Sequence, residues 1–176
     1  MHPLAMLFAL VGPERCGKST LLVKLEHNHV EHVGIIKTKT TSMLSTPEER
    51  DEYESVSPLL YGIHTRKSQL VHEWSTKDAV YAITRNEIDK VLSHKHGILA
   101  ASPELVAALK DDGYNVYVIG IEPMGNQPHE RMQSPRSFRS QYQPDMTVIN
   151  SFDIGHGVTN AHAHLQYIVR MFPLND

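Results

Sequence analysis

Residues 4–22, LAMLFALVGPERCGKSTLL, most restrict the fold: an unbroken apolar run ends in a glycine-bounded turn and a helix-prone stretch. A strand apolar on both faces needs cover on both, so residues 4–11 read as a buried parallel strand. Gly12-Pro13-Glu14-Arg15-Cys16-Gly17-Lys18-Ser19 then meets G-x-x-x-x-G-K-[ST] at every fixed position. The strand–turn–helix setting is the one that gives this motif its meaning. Glycines allow the backbone to fold round an anion with its N–H groups inward, and the N-terminus of the following helix adds a favourable dipole. Lys18 reaches the β- and γ-phosphates, the Ser19 hydroxyl binds Mg²⁺, and Thr20 completes the stretch. The bland alternative is a chance glycine turn before a helix. Arg15 either contacts a phosphate or is solvated. Cys16 reads as a small tolerated residue, because nothing in the chain supplies a thiolate base at the spacing of a cysteine hydrolase.

Composition narrows the class. With 176 residues, 40% hydrophobic and 21% charged, the chain has the size of one globular domain with a sizeable core, read as a single unit over 1–176. A formal charge of −3 gives no bulk attraction to nucleic acid or an anionic membrane, and leaves nucleic acid open only through local basic clusters. The single cysteine forms no intramolecular disulfide, so a reducing cytoplasm is the simplest compartment. The N-terminal segment lacks the pattern of a signal peptide, and no apolar stretch approaches the roughly 20 residues of a membrane span. Histidines cluster at His27, His29 and His32, at His94 and His96, and at His162 and His164. Pairs at i, i+2 do not share a helix face and H-E-x-x-H is absent, so they read as surface or incidental residues rather than metal ligands.

Along the chain, KSTLLVKLEHN reads as a helix and HVGIIKT as a short strand. Residues 38–57 are polar and aperiodic, and read as a mobile exposed segment. SPLLYGIHTRKS reads as a short helix. QLVHEW and AVYAIT flank the turn S-T-K-D as a hairpin. Thr84 is expected to cap the helix RNEIDKVLSHK, with Glu87 at the capping-box position. GILAA, YNVYVIGI and DMTVIN read as strands. Ser102-Pro103-Glu104 opens the helix ELVAALKDDG, and VTNAHAHLQYIVRMF reads as a last helix. Alternating strands and helices predict an α/β three-layer fold with a central parallel sheet. Its polar interruptions, about 38–83 and 124–142, are expected to project over the carboxyl edge where ligands bind.

A phosphate loop is shared by kinases, GTPases, motors and sulfotransferase-like proteins. The chain is small for a motor, and no N-K-x-D base-reading motif is present. A small kinase needs a core, an acceptor-binding insertion and an arginine-bearing lid, and the sequence offers a segment for each.

Across most of its length the chain resembles the guanylate kinase family of nucleoside monophosphate kinases. The resemblance rests on the loop Gly12–Thr20, on Thr40-Thr41-Ser42, and on the acidic stretch leading to Tyr53. It continues through Tyr81-Ala82-Ile83-Thr84 before a helix, HKHGILAAS, and Asp145-Met146-Thr147-Val148-Ile149-Asn150. It implies a P-loop kinase fold with a small acceptor-binding insertion at about 38–83 and a short lid at about 124–142. It implies ATP and Mg²⁺ at Gly12, Pro13, Glu14, Arg15, Cys16, Gly17, Lys18, Ser19 and Thr20, with Ser19 as the metal residue. It implies acceptor contacts from Lys39, Thr41, Arg50, Tyr53, Tyr81 and Ser102, and catalytic charge from Lys18, Arg131, Arg136 and Arg139.

Three departures stand out. Ser42 occupies the place of the first acceptor-gripping arginine, and the second arginine is missing; Lys37, Lys39 or Arg50 would have to substitute. The strand ending Leu99-Ala100-Ala101-Ser102 carries no aspartate, and Glu122 is the nearest acid at a strand end. Phosphoryl transfer needs positioning and positive charge more than covalent help. Arg136 and Arg139, three apart, would share a face of a short helix; otherwise the three arginines form a solvated basic loop. The leading expectation is an ATP- and Mg²⁺-dependent nucleoside or deoxynucleoside monophosphate kinase with a small-molecule nucleotide acceptor. The alternatives are a kinase for a sugar phosphate or a nucleic-acid hydroxyl on the same fold, or a nucleotide-binding scaffold domain without catalysis.

Overall fold

The computed structural model describes residues 5–14, 16–28, 32–67, 70–124 and 143–151, with a few positions between 163 and 172. In chain order come β1 (Leu7–Val11), α1 (Lys18–Asn28), β2 (Val33–Ile35), β3 (Thr38–Thr40) and α2 (Pro47–Glu52). Next are β4 (Tyr53–Ser55), α3 (Pro58–Lys67), β5 (Leu70–Ser75), β6 (Val80–Thr84) and α4 (Arg85–Leu92). The last are β7 (His96–Ala101), α5 (Pro103–Asp111), β8 (Val116–Met124) and β9 (Met146–Ser151).

All five positions of β1 are buried, and the pleat sends alternate side chains into two cores. Phe8 and Leu10 meet Leu21, Leu22 and Leu25 of α1. Leu7, Ala9 and Val11 meet Ile88 and Leu92 of α4 and Leu105, Val106 and Leu109 of α5. A strand covered this way belongs in the middle of a sheet. Five parallel strands run in the order β2-β7-β1-β8-β9, with Leu7 beside Gly97 on one side and Val116 on the other. This is the three-layer α/β arrangement of a P-loop kinase fold.

Residues between β2 and α4 build a second sheet of four strands, β4-β3-β6-β5. The hairpin expected from QLVHEW and AVYAIT is its β5–β6 pair. The expectation of an exposed, mobile run over 38–57 is corrected: β3, α2 and β4 occupy it, and all three β3 residues are buried. Order there comes from polar bonds rather than apolar periodicity. The Thr46 hydroxyl accepts from the Glu49 N–H at 3.2 Å, and the Glu49 carboxylate accepts from the Thr46 N–H at 3.1 Å. Pro47 preorganises the first turn of α2 between them.

The capping box expected at Thr84 and Glu87 is also corrected. Thr84 holds the N-cap position of α4, yet its hydroxyl makes no capping bond and is buried without a partner, while the Glu87 carboxylate that would complete the box lies 3.2 Å from Lys39. Ser102 does cap α5, accepting from the Leu105 N–H at 3.2 Å. The expected lid at 124–142 lies outside the described residues apart from Met124, as does most of the last expected helix. No helix among the described residues is long and apolar enough to cross a membrane, and none of their histidines, cysteines and acids group in threes to hold a metal.

Within the His94–His96 pair, His94 is exposed as expected, but His96 is no surface residue, being 1% exposed. Its Nδ1 accepts from the Met6 N–H at 3.0 Å, which places the proton on Nε2, donating to the Phe172 carbonyl. The ring thus ties the start of β1 to the C-terminal segment, beside the edge contacts of Phe8, Tyr117 and Phe172. His96→Phe keeps a planar ring and removes both bonds. The expected loss is about 1–3 kcal/mol from the unpaired buried groups, read from urea unfolding as a lower midpoint at unchanged slope.

Candidate functional site

Val11 ends β1 paired with Ala101 and Gly120, so the loop after it emerges at the carboxyl edge of the parallel sheet. Two glycines shape that loop. A Cβ on Gly12 would stand 2.5 Å from the Ile121 carbonyl oxygen and 2.7 Å from the Cys16 sulfur, so no side chain fits. Gly17 has φ of 90°, a backbone that L side chains rarely adopt, and its carbonyl accepts the Leu21 N–H at 3.0 Å as α1 begins. Lys18 opens the helix. Its ammonium donates to the Gly12 and Pro13 carbonyls, each at 2.8 Å, and lies 3.7 Å from the Cys16 sulfur. Cys16 is fully buried. Burial pushes its thiol above the usual range against the opposing pull of Lys18, which keeps it protonated and unreactive at neutral pH.

The loop opens into a cleft of about 910 Å³. Gly12, Pro13, Glu14, Lys18 and Ser19 form one side, and Ala100, Ala101 and Ser102 at the end of β7 form the floor. Thr38, Glu49, Glu52, Tyr53 and Trp74, all from the second sheet and its helix α2, form the far wall. That wall is aromatic. Trp74 stacks on His72 with centroids 5.7 Å apart and on Tyr81 at 5.4 Å and 10°, and Tyr81 meets the edge of Tyr53 at 5.8 Å. Cross-strand register explains the row: Trp74 pairs directly with Tyr81, and His72 lies two residues away on the same face. Glu52 is 7% exposed. Burial, then the charge and hydrogen bond of Glu52, push the Tyr53 phenol well above its ordinary pKa, so it remains a proton donor.

Of the residues expected at the site, Tyr53 and Ser102 line the cleft with the loop. Cys16 sits beneath it, Thr20 is exposed on α1, and Tyr81 stands behind Trp74. Thr41 faces β6, its hydroxyl accepting the Val80 N–H at 3.0 Å. Arg50 is exposed on α2 and presents its carbonyl to Lys37 at 2.7 Å. Arg15, Arg131, Arg136 and Arg139 lie outside the described residues. Trp74, Glu52 and Thr38 are lining residues that sequence reasoning missed. The alternation of His72 and Trp74 opposite Tyr81 was the available signal, legible only once the hairpin register was known.

Lys39 has other employment. It is 4% exposed, with its ammonium 2.8 Å from Glu54 and 3.2 Å from Glu87. It joins β3 to β4 and to α4, and it does not line the cleft. Burial works against its charge, but bonds to Glu54 and Glu87 and their charges outweigh that and hold its pKa above the ordinary lysine value.

No protein-family model matches the sequence, and no curated protein is similar in sequence. Among solved structures, the fold matches the crystal structure of guanylate kinase from Anaplasma phagocytophilum with a TM-score of 0.68. The match covers 96% of this chain and 86% of that one at 14% identity. A likeness at that identity shows the shared fold.

The Lys39 bridge sets a prediction with a sign. A lysine whose folded pKa lies above its unfolded one contributes fully below the unfolded value, about 10.4, and loses that contribution as pH rises through the folded value. Lys39→Ala should therefore cost about 2 kcal/mol at neutral pH, less than a fully buried pair because Glu54 is partly exposed. The difference from the parent, followed by denaturant unfolding, should stay flat from neutral pH to about 10 and shrink only in stronger alkali.

Proposed function

We propose that the chain is an ATP- and Mg²⁺-dependent phosphotransferase of the nucleotide-kinase kind, working in the cytoplasm on a small acceptor of the nucleoside class. One observation carries the reading: a complete phosphate loop and a wall of aromatic side chains open into the same cleft. The donor set on the loop side is an ammonium, a hydroxyl and the N-terminus of an 11-residue helix. Those groups fit a polyphosphate chelating a hard cation. The solved guanylate kinase of the same fold supports nucleotide kinase chemistry, and its low identity leaves the acceptor base open.

ATP with Mg²⁺ supplies the phosphoryl group and the leaving ADP. The chain's part is position and charge. Lys18, steadied over the loop mouth by two carbonyls, neutralises the β- and γ-phosphate oxygens. Ser19 would give a bound Mg²⁺ an oxygen ligand; Mg²⁺ keeps much of its own water, which would suit a site whose β7 end, Ala100-Ala101-Ser102, brings no carboxylate. Arg131, Arg136 and Arg139 are assigned the charge that builds up on the transferring group. That same carboxylate-free end of β7 favours a second reading, a nucleotide-binding domain without catalysis.

Lys18→Ala separates the two. It should lower kcat by about 10²-fold or more, while loss of its bonds to the Gly12 and Pro13 carbonyls should lower the unfolding midpoint only modestly. Ser19→Ala should weaken the dependence of ATP binding on Mg²⁺, and EDTA should weaken ATP binding to the parent protein. A parent protein that turns over no ATP with any acceptor, or whose ATP affinity is indifferent to metal, would rule out the phosphotransferase; turnover that survives Lys18→Ala would take the phosphate loop out of catalysis.

A further inference from the structure

We infer that the acceptor enters this cleft without a phosphate of its own: a nucleoside or a similar ring-bearing alcohol, whose hydroxyl gives its proton to Glu52 as it is phosphorylated. The inference rests on the phosphotransferase reading and names its acceptor. Among the described lining residues Lys18 is the one cation, and it belongs to the donor side. Across the cleft from it stand the carboxylates of Glu49 and Glu52, with Glu14 beside it on the loop side. Hydrogen bonds from Ser45 and Thr46 hold Glu49 below the usual carboxylate pKa, so it stays ionised. Glu52 is buried by its neighbours yet still borders the cleft. It ends α2, where the carbonyl end of the helix adds further negative potential.

Among the described residues, no basic side chain of the second sheet or of α2 lines the cleft. Lys39 is taken by Glu54 and Glu87, and Lys37 donates to the Arg50 carbonyl. A phosphate monoester carries nearly two negative charges at neutral pH, and this wall repels it. A hydroxyl needs an acceptor for its proton, and the wall supplies one. Glu52 borders the cleft, and a carboxylate offers several lone pairs to a hydroxyl donor. Trp74 and Tyr53 give a planar ring an apolar surface on the same wall.

The step balances. The acceptor oxygen forms a bond to the γ-phosphorus while the bond from that phosphorus to the β–γ bridging oxygen breaks. The electron pair leaves on ADP, and the hydroxyl proton passes to Glu52 and then to solvent.

Trp74 is the chain's single tryptophan, so its fluorescence reports on the acceptor wall independently of turnover. Matched pairs are titrated into the full chain: guanosine and GMP, adenosine and AMP, thymidine and dTMP, cytidine and CMP. In the best pair the nucleoside should bind about tenfold or more tightly than its monophosphate. Glu52→Gln should bring the two affinities close together and lower kcat for the nucleoside. Three outcomes overturn the inference: monophosphates that bind as well as or better than their nucleosides, a ratio unmoved by Glu52→Gln, or no response to any nucleoside. A 5′-hydroxyl oligonucleotide that binds more tightly than every nucleoside overturns it too. If Glu52→Gln does not fold, the parent ratio still decides. MgATP binding by calorimetry, with Lys18→Ala as control, tests the phosphate loop separately, so failure there is distinct from failure at the acceptor wall.

Discussion

Everything at the candidate site hangs on the burial of β1. Its five residues are covered on both faces, which forces the strand to the centre of a parallel sheet with helices above and below. A parallel sheet has one carboxyl edge, and the chain leaving a central strand must turn there. The turn is therefore held between β7 and β8, whose partners Ala101 and Gly120 lie beside Val11. Ile121 then presses so closely on Gly12 that a single methyl group has no room. A flexible glycine loop becomes a loop of one shape because rigid backbone encloses it. That rigidity is what lets a few N–H groups and one ammonium act as a preorganised anion site.

The second sheet depends on a different physics. Its strands are short and partly polar, and β3 reads Thr-Lys-Thr with all three residues buried. Apolar area cannot hold such a strand; satisfied polar groups do. Lys39 spans to Glu54 and Glu87, Thr41 is bonded to Val80, and Ser55 donates to the Ser42 carbonyl at 2.7 Å. Because Glu87 belongs to α4, whose Ile88 and Leu92 are anchored in the main core, the Lys39 bridge also fixes the second sheet relative to the first. The width of the cleft between them thus depends on a partly buried ion-pair network, costly when one partner is removed.

This division explains what was legible in the sequence. The main sheet, the phosphate loop and the hairpin follow from apolar runs, glycine spacing and turn residues, all of them local signals. The order over residues 38–57 was missed because its periodicity is polar. The capping box was read at Thr84 and Glu87 by spacing alone, while the one that forms is at Thr46 and Glu49. Both fit the local pattern, but the Glu87 carboxylate is engaged by Lys39, 48 positions away in sequence. His96 read as incidental because its partners, Met6 and Phe172, lie 90 and 76 residues distant. Trp74 was passed over as a hairpin residue, since only the register with Tyr81 and the approach of the phosphate loop place it on a cleft wall. The outlying arginines of 124–142 have no placement among the described residues, so their role rests on sequence reasoning alone.

The acceptor side is where resemblance and geometry part. By family likeness, two arginines are expected to grip an acceptor phosphate, and the sequence shows only that one is Ser42 and the other is missing. Loss of a cation leaves two physical possibilities: another cation moves in, or the charge it balanced is gone. Lys37, Lys39 and Arg50 were the residues able to move in. The structure puts Lys39 in an ion pair, Lys37 against a backbone carbonyl and Arg50 on an exposed helix face. None of them lines the cleft, and Glu52 does. A buried carboxylate beside a cleft is costly to keep unless it has partners, and one neighbouring phenol can meet only part of its bonding capacity. A hydroxyl-bearing acceptor would supply what remains, and a phosphate-bearing one would compete with it. Diverged binding sites of this kind are best read from the charge that the surrounding fold leaves uncompensated, because that charge selects the ligand that neutralises or hydrogen-bonds it.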